Sequence, residues 1–370
     1  MFRLSRYKDY TPLWYDITPL KQTSRRNAIR ILSVLALIAV SVSANIYLIY
    51  KIVKRWPTAL DTYQHLNPYP IVNEEFLRTL SSPSPDENAV VTSMYTDSYA
   101  TAVATLGHSL TRANTTARRL LFYLPDHISP QALCIASSTG FVPYPVSRIP
   151  PPHNGVGTHE RFMDAYSKLN IWKLGDAGIK AVVHLDADTL VLRNFDELFS
   201  LPYSFAAVPD VYVGSHGFTL DMNTGVIFAR PDMGIFDDML LKMQSATYDG
   251  IQADQAFLNV YFAADALRLP YAYNANLAIK KRKPDLWADL RPRTRIAHYT
   301  LVKPFVAEED NTGVRILRMN ELEENVIRRM SEFDGAFEEE LMDWLRIWRD
   351  TYKTYGDALR ECVDDATGAS

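Results

Sequence analysis

Residues 31–50 read ILSVLALIAVSVSANIYLIY, a block without a charge in which Asn45 is the one strongly polar side chain. At the ~1.5 Å rise of an α-helix its length matches the ~30 Å hydrocarbon core of a bilayer. No polar face recurs at helical spacing, so a half-buried helix of a soluble core is disfavoured. Arg3, Arg6, Lys8, Lys21, Arg25, Arg26 and Arg30 precede the block, and Lys51, Lys54 and Arg55 follow it. The heavier N-terminal count favours a cytosolic N-terminus, hence a single-pass type II protein with most of the chain lumenal. A cleaved signal peptide competes, since Val42, Ser43 and Ala44 offer a small-residue site. The long basic lead, and apolar residues continuing through Ile46, Leu48 and Ile49, favour a retained anchor.

The remainder is ordinary globular material, 47% hydrophobic and 22% charged, which excludes disordered, collagen-like and disulfide-dense classes. With 39 basic and 43 acidic residues the formal charge is -4, and no general attraction for nucleic acid follows. A mean hydropathy of -0.14 excludes a multi-span membrane protein. Asn114-Thr115-Thr116 is a glycosylation sequon in the portion expected to be lumenal. Cys134 and Cys362 can pair in an oxidising lumen or remain two buried thiols, and both readings stay open.

Pro, Ser and Asn punctuate residues 51–88 without a sustained period, as in a stem. A strand-helix alternation follows. AVVTSM (89–94), LLFYL (120–124), AVVHL (181–185), FAAV (205–208) and GVIFA (225–229) read as strands. Tyr99, Val103, Leu106 and Leu110 predict one helix, and Phe162, Tyr166, Leu169 and Trp172 another. The pattern predicts an α/β domain with a largely parallel sheet, whose ligands bind beyond the carboxyl ends of the strands. Two later stripes, Met319, Leu322, Val326 and Met330, then Phe337, Leu341, Trp344, Trp348 and Tyr352, predict helices packed on that domain or on a partner. The expected division is a cytosolic tail (1–30), an anchor (31–50), a stem (51–88), a catalytic domain (89–310) and a helical C-terminal extension (311–370).

At residues 181–191 an apolar run ends in two carboxylates one residue apart, Asp186 and Asp188. At a strand end both can approach one hard cation. Mg²⁺ or Mn²⁺ prefers such oxygens, bridges readily to phosphate, and can neutralise a diphosphate leaving group. Acidic residues also end strands for no other purpose. The same stretch fits the nucleophile motif of haloacid-dehalogenase-like phosphatases, with Asp186 attacking phosphate. That motif usually follows the first strand of its domain, whereas here strand-helix pattern already precedes it.

The wider context, HLDADTLVLRNFDELFSLP, then AAVPD, MNTGVIFARP, DQAFLN and AHYTLVKPF, resembles glycosyltransferase family 8, the glycogenin-like enzymes, over about residues 89–305. The resemblance implies a GT-A-type, Rossmann-like nucleotide-diphospho-sugar fold, a UDP-sugar donor, Mn²⁺ (with Mg²⁺ as the alternative) and retention of anomeric configuration. It implies Asp186, Asp188 and His298 as metal ligands and Lys303 at the diphosphate. It places Thr92 and Tyr99 at the uridine, although Tyr99 also reads as the first core residue of its helix. Lys168, with Arg161 as companion, matches the donor phosphate and sugar contact. Asp210 and Asn223 match sugar-hydroxyl contacts, and Asp254-Gln255 the pair beside the anomeric carbon. Without the resemblance, Lys168 and Arg161 are solvated helix-surface charges, and Asp254 is a helix cap. One departure is visible: between His298 and Lys303 the family usually has a glycine and one more residue, so main-chain contact with phosphate is not carried over.

Retention needs either a covalent glycosyl intermediate or attack on the face the leaving group vacates, and Asp254 suits the nucleophile or the stabilising role. The resemblance and the anchor together imply a Golgi or other secretory-pathway transferase acting on a glycan, glycolipid or polysaccharide; homo-oligomerisation stays open. Residues 277–283 hold no tyrosine, so glycogenin-type self-glucosylation is not expected. The basic run 280–283 reads as a solvated loop, with a hold on an acidic acceptor as the alternative. A catalytically inactive transferase fold kept for sugar binding is the third reading of the chain.

Overall fold

The computed structural model describes residues 18–53, 83–214, 216–307 and 314–368. Arg3, Arg6, Lys8, Lys54 and Arg55, and most of the expected stem, lie outside these. Two compact units emerge, residues 1–58 and 59–370.

The first unit contributes one helix, α1 (Thr18–Val53). Its segment Arg25–Lys51 is long and apolar enough to cross a membrane. Leu37 and Val40 are about two-thirds exposed, which in water would be costly apolar surface. The polar side chains fold back onto their own helix: Ser33 Oγ donates to Ile29 O (2.9 Å) and Asn45 Nδ2 to Ser41 O (2.8 Å). Such internal bonds lower the cost of these groups in hydrocarbon.

The second unit is built on a seven-stranded sheet, β1 (Asn88–Met94), β2 (Arg118–Tyr123), β3 (Val142–Pro145), β4 (Ala181–Asp186), β6 (Phe205–Val211), β7 (Phe218–Ala229) and β8 (Leu267–Arg268), ordered β3-β2-β1-β4-β7-β6-β8. β1 to β4 are parallel, but β7 runs antiparallel to both β4 and β6. The sheet is therefore largely parallel as expected, four of its six strand pairs, and is mixed only through the antiparallel strand β7. The physical reason is the short β6–β7 connection, which permits only an antiparallel return. Apolar residues cover both faces, as a central strand with helices on each side requires. Ala89 and Val91 join one buried cluster with Phe122, Trp172 and Phe257; Val90 and Leu185 join the other.

Between β1 and β4 the strand order reverses, because β2 and β3 lie on the far side of β1. Such a reversal opens a crevice at the carboxyl ends. Ser93 and Asp186 pair there, so Asp186 sits at its mouth. A second, three-stranded sheet, β5 (Thr189–Val191), β9 (Ala275–Asn276) and β10 (Ile296–His298), starts one residue past Asp188.

α2 (Ala100–Arg112) carries the predicted Val103, Leu106 and Leu110 face. The second predicted helix is absent as an α-helix. Residues 160–177 form two 3₁₀ segments, Glu160–Phe162 and Ala165–Ala177. Tyr166, Leu169 and Trp172 recur every third residue, the spacing that aligns in a 3₁₀ turn. Lys168, Ile171 and Leu174 then form a second aligned edge, and all three are buried.

The chain continues through α3 (Pro130–Ser137), α4 (Met233–Lys242), α5 (Ala253–Tyr261), α6 (Leu277–Arg282), α7 (Pro284–Leu290), α8 (Met319–Arg329) and α9 (Glu338–Gly368). Leu322, Val326, Leu341 and Trp344 belong to the same buried cluster as Val90 and Leu185, so α8 and α9 pack on the α/β core. His108 Nδ1 meets Thr351 Oγ1 at 2.9 Å, and Cys134 of α3 is disulfide-bonded to Cys362 of α9.

Candidate active site

Asp186 is the last residue of β4, and Asp188 directly precedes β5. Antiparallel pairing sets His298 of β10 opposite Thr189, which carries its imidazole to the acidic pair. The ligand atoms of Asp186, Asp188 and His298 all lie within 4.8 Å of one another. Two carboxylates and one imidazole at this separation fit Mn²⁺ or Mg²⁺, hard ions that prefer oxygen and accept one nitrogen.

Charge around the centre is divided. Lys168, 6% exposed, places Nζ 3.0 Å from Asp186 Oδ1 and 3.1 Å from Asp254 Oδ2, and donates to Thr224 O at 3.1 Å. Far from a solvated surface charge, it is the buried counter-ion of two carboxylates. Burial alone would raise the Asp186 pKa, but Lys168, His184 and His298 outweigh it and bring it to about 2. For Asp254 burial prevails over Lys168 and leaves its pKa above the ordinary carboxylate value. On the other side Lys303 Nζ contacts Asp188 Oδ2, and His298 Nε2 is 3.3 Å from Asp188 Oδ1.

Asp254 is the second residue of α5, yet its carboxylate turns to Lys168 and to Thr224 Oγ1 (3.3 Å). Gln255 Nε2 donates to Asp210 Oδ2 at 2.9 Å while its Oε1 accepts from Thr224 N at 3.1 Å. Asp210 lies where the β6–β7 register shifts around Pro209, a residue with no N–H for the ladder. Asn223 Nδ2 reaches Asp210 Oδ1 at 3.2 Å. Asp210, Asn223, Asp254 and Gln255 are thus brought into one network with the acidic pair.

Thr92 lies inside β1 with its hydroxyl buried and unbonded. Tyr99 closes the turn after β1, half-buried, its ring edge-on to that of Phe305 with centroids 4.9 Å apart, and burial raises its pKa to about 12. Arg161 is not joined to the cluster: it is exposed, with its guanidinium 4.5 Å from the Phe162 ring. Asn114 is exposed at positive φ on the α2–β2 turn. The basic run 280–283 is not a solvated loop. Lys280 and Arg282 lie in α6; Lys280 bonds both oxygens of the buried Glu340, and Arg282 donates to Gly214 O. Lys280 is thereby committed to Glu340.

Four residues escaped the sequence reading. His184, fully buried in β4, has Nε2 3.1 Å from Ser93 Oγ, and burial with Lys168 lowers its pKa to about 3. Asn274 meets His298 Nδ1 through Oδ1 at 2.9 Å. Asn276 caps α6 and also reaches Asp210 Oδ1 at 3.4 Å. Gly225 passes so close that a Cβ there would lie 2.1 Å from His298 Cε1. The strand-terminal Asn-x-Asn and the glycine after Asn223 were the available signals.

The chain is 30% identical over 192 residues to glycogenin of Neurospora crassa, covering 51% of this chain and 27% of that protein. It is 31% identical over 175 residues to inositol phosphorylceramide glucuronosyltransferase 1 of Arabidopsis thaliana, covering 47% and 30%. Galactinol synthase 2 of Solanum lycopersicum is 28% identical over 254 residues, with 60% and 73% covered. The chain thus spans less than a third of the length of the first two. The family profile of glycosyl transferase family 8 matches residues 90–305, the stretch that forms the mixed sheet and carries the acidic pair, His298 and Lys303; this chain belongs to that family and is a glycosyltransferase of GT-A-type fold.

Proposed function

We propose that this glycosyltransferase moves a sugar from a UDP-sugar to a glycan, glycolipid or polysaccharide acceptor, with Mn²⁺ or Mg²⁺ and with retention. The observation that carries the reading is the Asp186–Asp188–His298 group at the mouth of the β1/β4 crevice, linked through Lys168 to Asp254. Bound there, the cation supplies charge neutralisation of the departing diphosphate. Lys303 is positioned for the same phosphates, as a point charge suits them. Thr92 and Tyr99 serve the uridine, with a stackable ring and an unspent hydroxyl. Asp210 and Asn223 serve the sugar hydroxyls, and Arg161 joins only if its turn closes over the donor.

At the reacting carbon we assign Asp254 and Gln255. Both contacts of the Asp254 carboxylate use Oδ2, so Oδ1 is the oxygen for a sugar. In either role, nucleophile or stabiliser of oxocarbenium charge, Lys168 holds that carboxylate in place. Membrane anchoring through residues 31–50 is supported by the exposed apolar helix; the type II orientation and a Golgi or other secretory membrane are read from the basic residues before that helix and from the family. The Cys134–Cys362 disulfide supports an oxidising compartment.

The test is release of UDP by the purified full chain from UDP-glucose, -galactose, -N-acetylglucosamine, -xylose and -glucuronic acid, with Mn²⁺ and with chelator. One donor should be turned over, dependent on metal, and Asp188→Ala should abolish this. Sugar binding without turnover of any donor would favour the inactive fold. For topology, a glycosidase-sensitive mass shift that vanishes in Asn114→Gln is expected; an unglycosylated chain digested in intact microsomes would refute it.

A further inference from the structure

His298 can offer Nε2 to a cation only if its proton sits on Nδ1, and the protein decides this through a chain of amides. The chain starts from a group whose role is beyond doubt, a backbone N–H. Gly225 N donates at 3.0 Å to the Asn223 side chain, so the atom it meets must be the oxygen, Oδ1. The Asn274 atom lying 2.9 Å from that oxygen must then be a donor, Nδ2. Asn274 therefore turns its Oδ1 to His298 Nδ1, 2.9 Å away, and an acceptor there demands that Nδ1 carry the hydrogen. Nε2 is left with its lone pair, facing Asp188. At the other end the orientation is braced: Asn223 Nδ2 faces Asp210 Oδ1, which also takes the Val211 backbone N–H at 2.8 Å. Asn274 is 1% exposed, so water does not compete for these bonds.

We infer that Asn274 is a positioning residue for the cation site: it fixes the tautomer and ring plane of His298 and ties them, through Asn223, to the sugar-side carboxylate Asp210. Partners behind metal-bound histidines commonly set tautomer and orientation, and their loss typically lowers metal affinity about 10- to 100-fold. Gly225 acts in the same device twice, through its N–H and through the missing Cβ that His298 occupies. Asn223 is thereby largely committed: its oxygen takes two donors, and one amide hydrogen goes to Asp210. Only its second amide hydrogen remains for a sugar hydroxyl.

The inference rests on reading Asp186, Asp188 and His298 as a metal site, and the experiment separates the two. Mn²⁺ dissociation constants are measured by electron paramagnetic resonance on the full chain in detergent, without donor, alongside metal-free melting temperature. Asn274→Leu, which keeps the volume and removes the acceptor, should weaken Mn²⁺ about 10- to 100-fold with little change in melting temperature. Asn274→Asp keeps an acceptor for Nδ1–H but loses the donor to Asn223, and should bind Mn²⁺ more tightly than Asn274→Leu, which a general packing role would not predict. Wild-type affinity in Asn274→Leu, while His298→Ala loses binding, overturns the inference and leaves the metal site intact. Wild-type affinity in both His298→Ala and Asp188→Ala overturns the metal reading and the inference with it. If Asn274→Leu does not fold, Asn274→Asp decides: affinity as low as that of His298→Ala refutes the proposal.

Discussion

Asp186 and Asp188 stand two residues apart and belong to different halves of the site. Asp186 closes a strand of the large sheet and is neutralised from within by Lys168, whose side chain is 7% exposed. Asp188 leads into the small sheet and meets Lys303, 28% exposed, and His298. One carboxylate has a permanent counter-ion built into the core. The other is paired with a lysine that stands partly in solvent. A D-x-D pair is thus not two equivalent carboxylates: the fold gives one a buried cation as partner and the other a partly exposed one.

The division breaks most visibly at the lysines. Lys168→Met leaves the buried Asp254 beside the partly exposed Asp186 without compensation, and roughly 3 kcal/mol of stability should go, with UDP release strongly reduced. Lys303→Met should raise the donor KM and cost less stability than Lys168→Met, since Lys303 is itself partly exposed and His298 stays beside the buried Asp188. Equal destabilisation by both variants would dissolve the distinction. Gly225→Ala probes the Asp188 half alone. Its Cβ would displace His298, so Mn²⁺ affinity should fall about 10- to 100-fold with roughly 1–3 kcal/mol of overpacking strain. Unchanged metal affinity in that variant would show that His298 tolerates the shift.

A more gradual effect is on pH dependence, in the Asp186 half. Burial and Lys168 hold the folded His184 pKa at about 3, against about 6.5 unfolded. Below pH 6.5 the unfolded chain takes up a proton that the folded chain refuses, so stability falls as pH drops through that window. The loss is about 2 kcal/mol between pH 7 and pH 5. Buried His298, also lowered, adds in the same direction. Urea midpoints in chelator should therefore decline from pH 7 to pH 5, less steeply in His184→Phe; an identical slope would remove His184 from the account.

Much of this was legible in the chain. The strands at 89–94, 181–185 and 225–229, the helix after Tyr99 and the C-terminal stripes all appear where apolar spacing put them. Residues 162–172 did not become an α-helix, because their threefold spacing suits a tighter turn, and that turn is what buries Lys168. The basic run 280–283 was misread because nothing local announces Glu340, sixty residues later, as the partner of Lys280. Arg161 matched a family position and yet lies exposed against Phe162.

Local order along the chain is enough to specify the apolar helix, the alternating core and the acidic pair at a strand end, because each depends on neighbours within a few residues. What charge those acids carry, which of them is permanently paired, and which nitrogen of His298 faces them were decided by tertiary structure. These properties come from Lys168, Asn274, Gly225 and Asp254, delivered by separate elements to one low-dielectric crevice, where a pairing such as Lys168 with Asp254, distant in the chain, outweighs any preference of the sequence around it.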